Sequence, residues 1–337
     1  MIVYNVFKRR VLFFFFCVCF SYKSLSAIDD LSVLKSFDEG TVRSVLSEEC
    51  PFLDIFSFRV VSKGWDNWVA EINDKWIFRF PRKKSVAEKI FRENLLLEAF
   101  HSSSPVSIPR YIIKGNRFYF SAYKKIDGVD LSKAIYESMS EGERKLLAET
   151  IADFLYSLHT LFSVDEAKAL GFPENIWPIN WLQYDLKGRL PSADWEAVLD
   201  RALEHGKEIL RDASFVLGHH DLHGGNMAFN PYEKKIEGIF DFSDAAIGII
   251  YRDFSELISI HYQLSEDVSR RYFSHFFSFE EIESVLWKVG ADYQLRKFTC
   301  LLCAMEDYDR LRCDRIMKEL DDFLENWRFQ FKGASSL

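Results

Sequence analysis

The stretch at residues 216–230, VLGHHDLHGGNMAFN, constrains this chain more than any other. Residues 219–226 bring together His219, His220, His223, Asp221, two glycines and Asn226. Two chemistries compete for it. His219 and His223 stand four positions apart, the spacing of a helical zinc pair. That pair needs a helix. Gly218, Gly224 and Gly225 crowd it, and each glycine costs a helix interior about 1 kcal/mol. No glutamate follows the first histidine in the HExxH sense.

The competing reading uses the aspartate. Residues 219–226 fit H-x-D-L-x-x-x-N, the spacing of a kinase catalytic loop. Asp241 ends an apolar run in IFDFSDA, and MAFN and KKIEGIF before it read as strands around the turn NPYEKK. A hairpin centred near residue 233 sets Asn226 opposite residues 240 and 241. Two side-chain oxygens then arrive side by side, which suits Mg²⁺ completed by phosphate and water oxygens. Asp221 lies upstream on the feeding loop, where a base orients an attacking hydroxyl. Asp and Asn are each common in loops, so the weight rests on their joint spacing.

The chain has 337 residues, more than one ordinary core needs, so two lobes are expected. Apolar content of 48% and charged content of 28% read as globular. A net charge of −8 argues against nucleic acid and suits cationic partners. Cys300 and Cys303, in RKFTCLLCAMEDY, read as core cysteines of a buried helix. The N-terminal MIVYNVFKRR, VLFFFFCVCF and SYKSLSA have the layout of a secretory signal. The apolar run is too short to span a bilayer comfortably. Residues 1–27 are therefore set outside the fold, as a signal-like or tether leader.

Residues 30–48 read as a helix with Leu31, Val33, Leu34, Phe37, Val42 and Val45 as its apolar positions. FRVV, WVAEI and WIFRF read as strands parted by KGWDN and NDK. SVAEKIFRENLLLEAFH keeps a helical period, and PRYIIKG with FYFSAYKKI reads as a strand pair. From Leu131 onward the pattern is helical, interrupted near 216–245. The expected class is α+β: a small mixed α/β lobe before a larger, mainly helical one. Arg79 falls on a strand and Glu93 on the next helix, a cation for nucleotide phosphates and the acid that holds it. SKGWDN, with Gly64 and Asn67, is a candidate turn over the phosphates.

With these residues in place the chain resembles the aminoglycoside phosphotransferase family of the protein-kinase-like superfamily, most closely its 2″-phosphotransferases. The resemblance covers about residues 40–325. It is carried by GWDNWVAEINDKWIFRFPR, RENLLLEAF, FSAYKKIDGVDL, IADFLYSLHTL, GHHDLHGGNMAFN and GIFDFSDAAIG with YRDF. It implies a bilobal protein-kinase-like fold, with residues 28–125 as nucleotide-binding lobe and hinge, and 126–337 as catalytic and substrate lobe. It implies transfer of the γ-phosphoryl group of Mg-ATP or Mg-GTP to a hydroxyl of an aminoglycoside-like, cationic acceptor. Asp221 would be the base, and Asn226 and Asp241 the Mg²⁺ ligands. Arg79, Glu93, Gly64, Asn67 and Tyr123, the last in the hinge SAYKK, would serve the nucleotide. His219 would be structural, His159 a packing residue, and Asp253 a support for the loop.

Three positions depart from the family pattern. His220 stands where Gly is usual, Arg79 where many kinases carry Lys, and Ile249 where Asp is frequent. The kinase GxGxxG, DFG and APE segments are missing, and no room is left for an activation loop, so a small-molecule acceptor is expected. Choline, homoserine, macrolide and sugar kinases share the superfamily. A catalytically silent, kinase-like binding protein is the alternative from another class. Glu306, Asp307 and Asp309 could meet a cationic acceptor, though a solvated helix face explains them more simply. Trp177, Trp181 and Trp287 either stack on a sugar or belong to the core. Dependence on ATP or GTP implies a cytoplasmic catalytic body, expected to be monomeric. Contact with a membrane would run through residues 1–27 alone.

Overall fold

The computed structural model describes residues 32–63 and 66–327; the leader 1–27 and Gly64 lie outside the described residues. The first helix, α1 (Glu39–Glu49), is shorter than the apolar period suggests. Asp38 caps it by accepting from Thr41 N at 2.9 Å, and a capped start overrides periodicity. The residues before Asp38 run extended: Ser32 N donates to Arg117 O at 2.8 Å, and Ser32 O accepts from Tyr119 N at 2.9 Å.

Strands β1 (Phe58–Lys63), β2 (Asn67–Ile72) and β3 (Trp76–Pro81) form the expected meander. Helix α2 (Lys84–Phe100) follows, then the short strands β4 (Ile113–Lys114) and β5 (Ser121–Lys124). The antiparallel order is β1-β2-β3-β5-β4. One face of this sheet packs on α1 through Val42, Leu46, Ile72, Phe78, Phe80 and Phe120. The last three rings lie 5.6 to 6.2 Å apart, within the span of favourable aromatic pairs.

The chain leaves this lobe at residues 125–128. Lys125 N still bonds Lys75 O, whereas β6 (Val129–Asp130) pairs with a strand of the second lobe. Gly128 has φ +153°, and a Cβ there would stand 2.8 Å from the Ala228 carbonyl carbon. Only glycine allows so close an approach.

The second lobe opens with α3 (Lys133–Glu137) and α4 (Glu141–His159), the latter started by a Ser140–Glu143 capping box. Helices α5 (Val164–Ala169), α6 (Ile179–Trp181) and α7 (Ala193–Asp212) follow. Four strands interrupt the helices: the expected hairpin of β8 (Met227–Asn230) and β9 (Lys235–Ile239), and in addition β7 (Phe215–Gly218) and β10 (Ala246–Ile249). β7 pairs with β10, and β8 lies between β6 and β9. Helices α8 (Arg252–Leu257), α9 (Tyr262–Phe273), α10 (Phe279–Glu306) and α11 (Arg310–Asn326) complete the lobe. Among the described residues no helix is long and apolar enough to cross a membrane.

Trp177 is buried and donates to Asp292 at 2.8 Å, while Trp181 and Trp287 pack against the core. The core reading of all three holds. Glu306, Asp307 and Asp309 are exposed at the α10–α11 turn. Asp309 caps α11 through Arg312 N at 3.0 Å, so this acidic run is a solvated helix end. Phe100, at the end of α2, joins the lobes: its ring meets Phe154 of α4 at 5.4 Å and Phe242 at 6.4 Å. Phe100→Ala should cost about 3–5 kcal/mol, as for other fully buried aromatic truncations. Urea unfolding measures it, and a loss under about 1 kcal/mol would mean this contact does not couple the lobes.

Candidate active site

The loop between β7 and β8 is positioned by one buried carboxylate. Asp253, at the start of α8, accepts from the backbone N–H of His219 at 2.9 Å and of His220 at 2.6 Å. His159 Nε2 lies 2.9 Å from Asp253, and its Nδ1 lies 3.0 Å from the Tyr272 hydroxyl. His159 is buried and packs against Phe254 and Tyr272, as its helix suggests, and it is a hydrogen-bonding link as well. Burial opposes ionisation of Asp253, but His159 and the two loop histidines hold it well below the usual carboxylate range.

His220 takes the left-handed conformation with φ +65°. Its ring is buried, and neither ring nitrogen has a partner. Two glycines make room for it. A Cβ on Gly248 would lie 2.3 Å from the ring, and one on Gly218 2.8 Å. Burial drives its pKa down to about 3, so the imidazole is neutral. Ile249 lies buried in β10 opposite Phe215.

Asp221 follows with its side chain 36% exposed. Asn226 Nδ2 donates to both its backbone oxygen at 2.8 Å and its Oδ2 at 2.9 Å. His223 Nε2 stands 3.6 Å from the same Oδ2 while Gly225 N donates to its Nδ1 at 3.0 Å. Burial raises the Asp221 pKa, but His223 and Asn226 outweigh it and keep the group below its ordinary value. The sequence offers His223 only as half of a helical zinc pair with His219; here it lies in a loop, beside Asp221. His219 ties the loop to the next strand end. Its Nε2 lies 3.2 Å from Phe240 O, and its ring meets Phe242 at 4.5 Å.

The β8–β9 hairpin brings Asn226 beside the end of β9, where Phe240 N donates to Asn226 O at 3.0 Å. Asp241 then turns left-handed, with φ +64°. Its Oδ1 accepts from Arg79 Nη2 at 2.9 Å and Ser243 Oγ at 2.8 Å. Burial raises the Asp241 pKa; Arg79 and Ser243 more than offset this, and it stays low. Arg79 Nη1 donates to both Glu93 oxygens, at 2.8 and 2.9 Å, and to Tyr111 at 2.7 Å. Glu93 also accepts from Phe242 N at 3.0 Å. Among the described residues, Asp241 Oδ2 and Asn226 Oδ1 carry no hydrogen-bond partner. Two such oxygens fit a hard divalent cation that fills its other positions with water and phosphate.

The remaining expected residues divide. Asn67 opens β2, and its buried Oδ1 has no partner. Tyr123 is buried edge-on to Tyr111 at 5.6 Å, near Arg79. Its ring packs against Tyr111, and the crossing between lobes lies just beyond it. Lys89, unforeseen in the sequence, reaches Asp66 at 2.7 Å and Asp244 at 3.4 Å, joining the β1–β2 turn to the Asp241 loop. Beside Asp221 opens a cleft of about 400 Å³, walled by Asn175, His220, Arg252, Glu256 and Arg296 among others.

Two predictions follow from His220. His220→Gly and His220→Ala both remove the ring, but only glycine relieves the left-handed backbone, worth about 1–2 kcal/mol. The glycine variant should be the more stable of the two in urea unfolding; equal stabilities would remove the strain. The folded protein refuses a proton on His220 until about pH 3, whereas the unfolded chain takes one near its ordinary 6.5. Stability therefore falls as pH drops through this window, by up to about 1.4 kcal/mol per pH unit from this group. Unfolding at pH 4, 5, 6 and 7 should show a shallower decline in His220→Gly, and parallel profiles would contradict it.

Solved structures share this fold. The chain superposes on the GDP complex of an aminoglycoside 2'-phosphotransferase-IIIa with a TM-score of 0.76 at 20% identity, covering 86% of this chain and 99% of that one. A gentamicin complex of APH(2″)-IIa matches at 0.62 and 20% identity, over 88% and 100% of the two chains. Macrolide 2'-phosphotransferase MphH from Brachybacterium faecium matches at 0.59 and 17%, over 84% and 97%. These likenesses establish the bilobal kinase-like fold. The sequence profile described as "Phosphotransferase enzyme family" matches residues 57–284, and the chain belongs to that family.

Proposed function

We propose that this chain is a small-molecule kinase, transferring the γ-phosphoryl group of ATP or GTP to a hydroxyl of an aminoglycoside-like acceptor. The observation that carries the reading is the placing of Asp221, Asn226 and Asp241 on one loop and hairpin, with Arg79 bonded to Asp241 and itself held by Glu93. In this reading residues 28–125 take the nucleotide and residues 126–337 carry the catalytic loop and the acceptor. Asp221 accepts the hydroxyl proton as that oxygen bonds to the γ-phosphorus and the bond to the β-phosphate oxygen breaks. A low pKa suits this base, which orients the nucleophile while the phosphates leave as nucleoside diphosphate. Asn226 and Asp241 would hold Mg²⁺, which when bound would supply positive charge to the transferring phosphates. Arg79 keeps Asp241 ionised, and Glu93 keeps Arg79 aimed.

Matched structures solved with kanamycin and gentamicin support an aminoglycoside-like acceptor. Two macrolide phosphotransferases among them favour a macrolide as the second reading. Matched structures holding GDP, ATP and ADP support either nucleotide. The supply of ATP and GTP supports a cytoplasmic catalytic body.

The test is the full chain with Mg²⁺, ATP or GTP, and a panel of aminoglycosides, macrolides, choline and sugars, read by mass for an added phosphoryl group. Asp221→Asn should lower kcat by about 10²–10⁴-fold and leave nucleotide affinity close to the parent's. Full turnover in that variant would remove the base assignment. Asp241→Ala should weaken nucleotide binding in Mg²⁺ while leaving Mg²⁺-free binding unchanged; equal titrations in Mg²⁺ would contradict its role as a ligand.

A further inference from the structure

His223 sets its ring between two parts of the catalytic loop. On one side the backbone N–H of Gly225 donates to Nδ1 at 3.0 Å, which caps the short turn Gly224–Asn226. On the other, Nε2 stands 3.6 Å from Asp221 Oδ2. The ring lies close on Gly225: a Cβ there would stand 2.9 Å from His223 Cε1 and 3.1 Å from Nδ1.

The Gly225 bond decides where the ring proton sits. A backbone N–H can only donate, so Nδ1 keeps its lone pair and the neutral ring carries its hydrogen on Nε2. That N–H has no other acceptor among the described residues. At 3.6 Å from the carboxylate it is outside hydrogen-bond reach, as catalytic hydrogen bonds often are until substrate is bound. Asn226 Nδ2 already donates to the same Oδ2 at 2.9 Å. With both donors on Oδ2, the other oxygen, Oδ1, accepts no hydrogen bond among the described residues and is open to a hydroxyl.

We propose that His223 is a positioning residue for phosphoryl transfer: its neutral Nε2–H closes onto Asp221 Oδ2 and, with Asn226, turns Oδ1 toward the attacking hydroxyl. This rests on the kinase reading. Asp221 takes the proton, and His223 sets which of its oxygens does so.

Two substitutions separate this role from capping alone. His223→Gln puts an amide N–H at the place of Nε2 and gives up the Nδ1 acceptor. His223→Asn keeps an acceptor for Gly225 N and falls short of Asp221. Turnover of the full chain is read as Mg²⁺-dependent release of nucleoside diphosphate from ATP and GTP, with water or a compound of the panel as acceptor. His223→Gln should keep kcat close to the parent's. His223→Asn should lower kcat about tenfold or more, the effect of losing one hydrogen bond to a charged group. KM for the nucleotide should stay unchanged in both. The reverse order, with Asn active and Gln slow, would leave His223 a cap and overturn the proposal, as would equal rates.

A second readout needs no turnover. Asp221 holds the His223 pKa above its ordinary value, so the neutral ring is examined in mildly alkaline buffer. Nitrogen NMR of histidine-labelled protein should show His223, identified by its loss in His223→Gln, as the Nε2–H form. An Nδ1–H signal overturns the proposal even where a variant fails to fold. A parent that shows the Nε2–H form but turns over neither nucleotide with any acceptor removes the kinase reading, and this role with it; an active parent with equally active variants removes the role alone.

Discussion

The buried Asp253 carboxylate is the contact on which the catalytic loop depends. It accepts two successive backbone N–H groups, from His219 and His220, and is itself held by His159. Those two bonds force the chain into a sharp turn at His220, and the turn is what projects Asp221 into the cleft. A buried charge is tolerable only when its hydrogen bonds are made. Here the bonds that stabilise Asp253 are the same bonds that shape the loop. Stability and positioning therefore cannot be separated at this residue.

A second constraint runs between the lobes. Arg79 comes from the sheet, Glu93 from α2 and Asp241 from the hairpin of the second lobe, and they meet in one hydrogen-bonded set. Phe100 adds an apolar joint beside it. A guanidinium shared by two carboxylates fixes distance and orientation together, because its donors lie in one plane. The third connection, Lys89 between Asp66 and Asp244, is more exposed and so weaker in water. It reaches from the turn of the first lobe to the loop that carries Asp241.

The elements themselves were largely legible. Alternating and helical periods located β1, β2, β3, α2 and the β8–β9 hairpin, since each buries one face against a core and the pattern records that face. The helix at residues 30–48 came out too long because apolar periodicity says nothing about where a cap will form, and Asp38 ends the matter. Within the candidate site, the spacing of Asp221, Asn226 and Asp241 was readable because a short hairpin is a local structure. His159 and Arg296 were not, because their partners lie far away in the chain. His159 meets Asp253 across 94 positions. Tyr123 was readable as a strand residue, but which way its ring turned was settled by the packing of Tyr111.

The sequence alone determined the class of fold, the two lobes and the trio of polar residues on the loop and hairpin, because these follow from local spacing and short-range pairing. It also showed that position 220 departs from its relatives. Tertiary structure decided what that departure means: a histidine ring seated against Gly218 and Gly248, residues that no local rule connects. It likewise decided that α8 and α10 bring Arg252, Glu256 and Arg296 into one cleft beside Asp221. Charges on separate helices read as solvated faces until packing turns them toward each other, and only then does the balance of satisfied and unsatisfied donors exist to be read.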